Sequence, residues 1–345
     1  MLLQSVKSVG GTVSATATSA GEVPVRTLES IQVLRAVAAT LVLLFHTKVL
    51  NWGYAGVDIF FAISGFIMGT VGIRQRPADF LVMRLIRIVP LYWLVTLGMC
   101  LVSLVPGAFR NFTFDLSTLS KSMLFVPYFD ESGHIWPLVV AGWTLNYEMF
   151  FYFLFAAGLA LGLPRLFSSM VILLLVIFGF IVQFDGPLGR TYTDPILLEF
   201  SAGMALSAVP WLRGLWLGIG QMVVGAGVLA LIGFFHVDPG DGFPRLIWLG
   251  LPCCALVSGA LALERAGHWP RLGYLIAVGD ASYSLYLLHG FVVRGSERLP
   301  HIHPVVNVVL VLALSCLVAV MSFRHFELPA MRLLRRKFWL RKATS

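Results

Sequence analysis

Arg35 and His46 sit 11 residues apart in SIQVLRAVAATLVLLFHTKVL. On a helix that separation is close to three turns, so both project from one face, about 16 Å apart along the axis at ~1.5 Å per residue. A histidine in an apolar run is a candidate proton acceptor, and an arginine at the other end is a candidate anion site; the plainer alternative is a snorkelling arginine and an interfacial histidine. Asp58, in GYAGVDIFFAISGF, follows a turn near residues 51–53 that returns the chain to the depth of His46. A carboxylate there can fix the imidazole tautomer and stabilise its protonated form, or simply offset a helix dipole. Arg84 and Arg87, in DFLVMRLIRIVPLYW, share a helix face. They suit a phosphate by guanidinium pairing, or serve as topological anchors. Glu148, one turn into GWTLNYEMFFYF, sits where desolvation suits a carboxyl to proton transfer. Ser282, Tyr286 and His289 fall on one face of ASYSLYLLHGF, either as a polar site or as a stitch between helices. Glu327 suits pairing with a nearby basic residue, and Glu199 has no assignment. Together these residues make two layers, His46, Asp58, Glu148 and His289 in one and Arg35, Arg84 and Arg87 in the other.

The elements that must hold these layers are apolar helices. Of 345 residues, 58% are hydrophobic and only 12% charged. A soluble domain needs about twice that charge to cover its surface, so most of the outer surface must face lipid. A bilayer core takes roughly 20 residues of helix. Candidate spans are 31–50, 54–73, 88–106, 143–163, 166–184, 195–212, 214–235, 244–263, 279–295 and 304–323, predicting an all-α integral membrane bundle of about ten transmembrane helices. The long connection 107–142 is expected to hold an interfacial or re-entrant element around 116–129. Most Lys and Arg residues fall on the N-terminal side of that arrangement, including Arg74, Arg76, Arg165, Arg213, Arg265, Arg271 and the run from Arg332 to Lys342. The other side is acidic, with Asp115, Asp130, Glu131, Asp185, Asp194, Asp238 and Asp241. The asymmetry predicts both termini in the cytoplasm, the arginine layer near the cytoplasmic face and the histidine layer near the outer face. It also accounts for the net charge of +8 through topology and lipid contacts, without a nucleic-acid partner. Residues 1–28 are expected to be a flexible cytoplasmic tail, 29–330 the transmembrane domain and 331–345 a basic cytoplasmic tail. Cys100, Cys253, Cys254 and Cys316 lie in apolar runs without metal-ligand spacing, so neither a disulfide framework nor a metal is expected.

In order and spacing, several motifs resemble those of the acyltransferase-3 family of membrane acyltransferases, and among them bacterial exopolysaccharide O-acetyltransferases. They are Arg35 with His46, Gly56-Val57-Asp58 with Phe60-Phe61 and Ser64-Gly65-Phe66, Arg84-x-x-Arg87-x-x-Pro90, Trp143-Thr144-Leu145-x-x-Glu148 with Phe151-Tyr152, the block Ser282 to His289, and Phe326-Glu327-x-Pro329. The resemblance covers about residues 28–330. It implies about ten helices in a bacterial inner membrane, with acetyl-CoA or another acyl-CoA as donor. The acceptor would be a glycan or lipid-linked oligosaccharide, supplied in some cases by polysaccharide export machinery. On that reading Arg35, Arg84 and Arg87 hold the donor's phosphates, and His46 is the general base or a transient acyl carrier. Asp58 or Glu148 orients the imidazole, while Trp143, Tyr286 and His289 contact the acceptor or stabilise the oxyanion. The main rival is a secondary transporter of a glycan or acyl-group precursor, in which the intramembrane His, Asp and Glu relay protons; no repeat or pair of broken helices in the sequence favours it. A second rival is a non-catalytic partner in polysaccharide export.

Overall fold

The computed structural model describes residues 28–104, 113–209, 212–298 and 303–343, so the tail expected over residues 1–28 lies almost wholly outside the described residues. Every described element is helical. In chain order they are α1 (Glu29–His46), α2 (Gly56–Thr70), α3 (Pro77–Ser103), α4 (Leu116–Met123), α5 (Trp143–Ala160), α6 (Pro164–Val182), α7 (Pro187–Tyr192), α8 (Leu198–Ser207), α9 (Leu215–Phe234), α10 (Phe243–Arg245), α11 (Leu251–Arg265), α12 (Gly273–Asp280), α13 (Ser282–Ser296), α14 (Pro304–Ser322) and α15 (Leu328–Ala343). Proline in the first turn starts α3, α6, α7 and α14, where its missing N–H costs nothing.

The helices sort by what surrounds them. α2 buries nearly every residue, including Asp58 and Ser64, and is the central strut. α6, α9 and α14 bury only a few residues each and present Phe180, Ile181, Val223, Phe234 and Leu317 outward. An apolar surface of that extent needs hydrocarbon around it. Packing at the centre relies on glycine where two helices cross. A β-carbon at Gly65 of α2 would collide with the Phe200 carbonyl of α8, and one at Gly203 of α8 with the Ala62 carbonyl of α2. The two helices therefore approach backbone to backbone, as small-residue crossings in membranes allow.

Each of the ten expected apolar segments contains helix among the described residues, but fewer of them qualify as spans. Among the described residues, seven helices are long and apolar enough to cross a membrane, or eight if the bent pair of α12 and α13 counts as one. α8 has 10 residues, about 15 Å at ~1.5 Å per residue and half a typical bilayer core. α5 carries Asn146, Tyr147 and Glu148 as its fourth to sixth residues, which lower the hydropathy of an 18-residue helix. The ninth segment, expected over 279–295, is largely α13, and α12 precedes it at a bend of 74° where the two helices join. Gly279 there abuts the Gln32 backbone of α1, which ties α12 to α1 and lets α13 depart in a new direction.

Two π-turns interrupt other helices. One, Leu246–Gly250, joins α10 to α11; the other, Phe323–Glu327, joins α14 to α15. The second makes α14 and α15 one continuous helical rod, so the basic segment expected as a tail from residue 331 is helical through Ala343. In the connection 107–142, residues 113–142 are described. They contain α4, capped by Asp115 and Thr118, and the Trp93 indole of α3 donates 2.9 Å to the Met123 carbonyl. The strand of loop that follows brings Trp136, Leu138 and Val139 over one end of the bundle.

Candidate active site

His46 is the last residue of α1 and stays exposed, whereas His289, one helix away on α13, is 3% exposed. Their rings meet edge-on with centroids 4.8 Å apart. His289 Nδ1 lies 2.6 Å from the Tyr286 carbonyl, which can only accept, so Nδ1 carries the proton and Nε2 a lone pair. That Nε2 lies 3.3 Å from His46 Nδ1, which is also 2.8 Å from the Val42 carbonyl. Both neighbours accept, so the His46 proton belongs on Nδ1 and its Nε2 keeps a free lone pair. A neutral imidazole held in one tautomer with an unoccupied basic nitrogen can take a proton from a hydroxyl.

The carboxylate expected to orient that imidazole does not do so. Asp58 is fully buried and is gripped by Arg245, whose Nη2 lies 2.9 Å from Oδ2 and whose Nε lies 3.3 Å from Oδ1. The guanidinium also sits over the Tyr54 ring at 5.5 Å. A buried carboxylate must be compensated where it lies, and the arginine fork engages both its oxygens. Arg245 is therefore the charged residue that the sequence reading missed. The signal that could have found it is that an acid in an apolar run calls for a cation, and Arg245 heads an apolar run. The interaction expected of Asp58 is made instead by His289, whose two ring nitrogens are both engaged, so neither points freely at an oxyanion.

Glu148 also departs from its expected layer. Its Oε1 accepts from Ser64 Oγ at 3.2 Å and from the Tyr152 hydroxyl, and it lines one cavity with Arg35, Arg84 and Arg87. That cavity is narrow, about 120 Å³. Arg84 lies over the rings of Phe80 and Tyr152, and Arg87 pairs with Glu327 at 3.2 Å. Even so, Arg84 Nε and Arg87 Nη2 are buried without a hydrogen-bond partner, and Arg35 has no ion-pair partner among the described residues. Buried donors left unmade are costly, so this cluster is built to receive acceptor atoms.

A second cavity, about 680 Å³, is lined by His46, His289, Trp143 and Arg245. Val57 and Tyr286 line both cavities, so the two meet at that pair. The Tyr286 hydroxyl is held 3.1 Å from Thr144 Oγ1. The structure thus unites Arg35, Arg84, Arg87 and Glu148 on one side of Tyr286 and His46, His289 and Trp143 on the other, with Asp58 behind the second cavity wall.

Residues 28–324 match the family Acyl_transf_3, described as an acyltransferase domain. The chain is 42% identical over 252 residues to the exopolysaccharide production protein ExoZ of Rhizobium meliloti (strain 1021), an alignment that spans 70% of this chain and 77% of that protein. It is 28% identical over 316 residues to the putative membrane-bound transacylase BcsY of Komagataeibacter xylinus, covering 84% of this chain and 79% of BcsY. The putative peptidoglycan O-acetyltransferase YrhL of Bacillus subtilis (strain 168) is 26% identical over 346 residues, covering 86% of this chain and 54% of YrhL. No solved structure matches the chain. With a family match over most of its length and apolar helices of membrane-crossing length, this chain is an integral membrane protein of the acyltransferase-3 family.

Proposed function

We propose that the protein moves an acetyl or other short acyl group from a cytoplasmic acyl-CoA to a sugar hydroxyl of an exopolysaccharide or lipid-linked glycan on the outer side of a bacterial inner membrane. The observation that carries this reading is the pair of cavities meeting at Tyr286, with unpaired arginine donors in the narrow one and the His46–His289 pair in the wide one. The narrow cavity suits the slender arm of a thioester whose anionic end is held by Arg35, Arg84 and Arg87. The wide one suits a sugar. The name of ExoZ ties that relative to exopolysaccharide production, which favours a glycan acceptor here as well.

In the transfer itself, His46 Nε2 takes the proton from the sugar hydroxyl as its oxygen attacks the thioester carbon. His289 Nε2 accepts from His46 Nδ1–H and steadies the imidazolium, in the place an aspartate takes in a serine hydrolase. The tetrahedral oxyanion forms beside Tyr286. The C–S bond then breaks, and the thiolate leaves with the proton from His46.

His46→Ala should lower glycan acylation by at least about 10²-fold with membrane insertion intact, the usual range for losing a general base. The assay is acyl release from donor to glycan by the purified protein. Arg84→Ala should mainly raise KM for acyl-CoA. Arg87→Ala is the poorer test because it also strips Glu327 of its partner. Retained acylation in His46→Ala sinks the proposal.

A further inference from the structure

A polymer acylated at His46 must lay its neighbouring sugars somewhere, and a third cavity opens beside the second. It measures about 670 Å³ and shares Trp136, Trp143, Asp241 and Arg245 with the His46 cavity. With four residues lining both, the two cavities adjoin. We propose that this third cavity is a subsite binding the sugar residues that flank the one being acylated, an inference that rests on the acyl-transfer reading above.

Its walls match the two surfaces of a sugar ring. A pyranose has an apolar C–H face, which seeks a flat aromatic plane, and an edge of hydroxyls, which seeks fixed planar donors and acceptors. Trp136 is 38% exposed, and its ring is braced in parallel by His134 at 4.1 Å with only 8° between planes. Across the cavity, Asp194 is locked in place: Oδ1 accepts from Ile196 N at 2.9 Å, and Oδ2 accepts from the Tyr147 hydroxyl at 3.3 Å. Gln183 and Arg190 complete the polar wall.

Gln183 carries a second, independent sign. It ends α6 with φ of 52°, in the left-handed region where a helix normally places glycine. Glycine would occupy that position with less strain, and the glutamine that stands there instead lines the cavity. A purely structural role predicts that glycine improves the site, and a ligand role predicts that it harms binding.

The test uses the full chain in lipid nanodiscs, without acyl donor. Fluorescently labelled fragments of the host's own exopolysaccharide, from a single sugar to the full repeat, are titrated against it. Affinity should rise about tenfold from the single sugar to the repeat, equivalent to ~1.4 kcal/mol. Gln183→Gly and Trp136→Ala should each flatten that rise, while Gln183→Gly unfolds at the same temperature as the unaltered protein or higher. Length-independent binding overturns the subsite, as does Gln183→Gly binding like the unaltered protein, or a phospholipid in the cavity that no fragment displaces. Acyl transfer by the same preparation is scored separately. Transfer without length-dependent binding sinks the subsite alone, and length-dependent binding without transfer to any fragment sinks the transferase reading alone.

Discussion

At the scale of single residues, the site is organised by what each buried polar atom must have as a partner. The Tyr286 carbonyl claims the Nδ1–H of His289, which leaves Nε2 as the nitrogen that faces His46. His289→Ala should cut the rate of acyl transfer while leaving KM for the donor little changed, and His289→Gln, whose amide oxygen can still accept from Nδ1–H, should recover part of it. Steady-state kinetics with acyl-CoA check this, and equal activity in the two variants would count against the orienting role. Asp58 belongs to a different argument. It is fully buried, so its pairing with Arg245 is little screened, and removing one partner of such a pair costs about 3–5 kcal/mol. Asp58→Ala should therefore lower the unfolding temperature sharply in detergent. Adding Arg245→Met should restore much of it, since no charge is then stranded. Were Asp58 the partner of His46, the second change would restore nothing.

Helices set the site through a few close approaches and interruptions. The crossing of α2 and α8 at Gly65 and Gly203 packs backbone against backbone and leaves no room there for a β-carbon. Gly203→Leu should cost about 3 kcal/mol or more by overpacking, read as loss of a monodisperse peak in size-exclusion chromatography. Gly98, with open space around its would-be β-carbon, is the control that should tolerate alanine. Both π-turns adjoin ion pairs of the site: Arg245 precedes one and Glu327 closes the other. Such turns widen a helix by one residue and re-aim the side chains beside them, which is why they recur at functional positions. The bend of 74° after α12 does similar work by delivering Ser282 to the narrow cavity and His289 to the wide one.

The whole molecule is a bundle with two unlike ends. One end carries the loops that border the wide cavities, including residues 129–142, Asp194 and Asp241. The other leads from Arg87 and Glu327 into the basic helix α15. The charge asymmetry of the loops predicts that α15 lies in the cytoplasm. A cysteine replacing Ser132 should react with an impermeant maleimide on intact spheroplasts, and one replacing Lys337 only after permeabilisation. The opposite pattern would invert the proposed direction of acyl transfer.

Much of this was legible in the one-dimensional chain. Apolar run length and sparse charge decide that helices must lie in lipid, because each polar backbone group there needs an internal partner. Motif order identified the family, and one-face spacing placed Arg35 and His46 on a single helix. Pairing of charges was not legible. Asp58 and Arg245 are 187 residues apart, and His46 and His289 are 243 apart. Depth along separate helices says which groups share a layer, but not which of them touch. The close crossing of α2 and α8, the π-turn after Arg245 and the bend before Ser282 each depend on contacts between distant segments. Those contacts, and the need to satisfy every buried charge, assigned Asp58 to Arg245, Glu148 to the arginine cavity and His289 to His46.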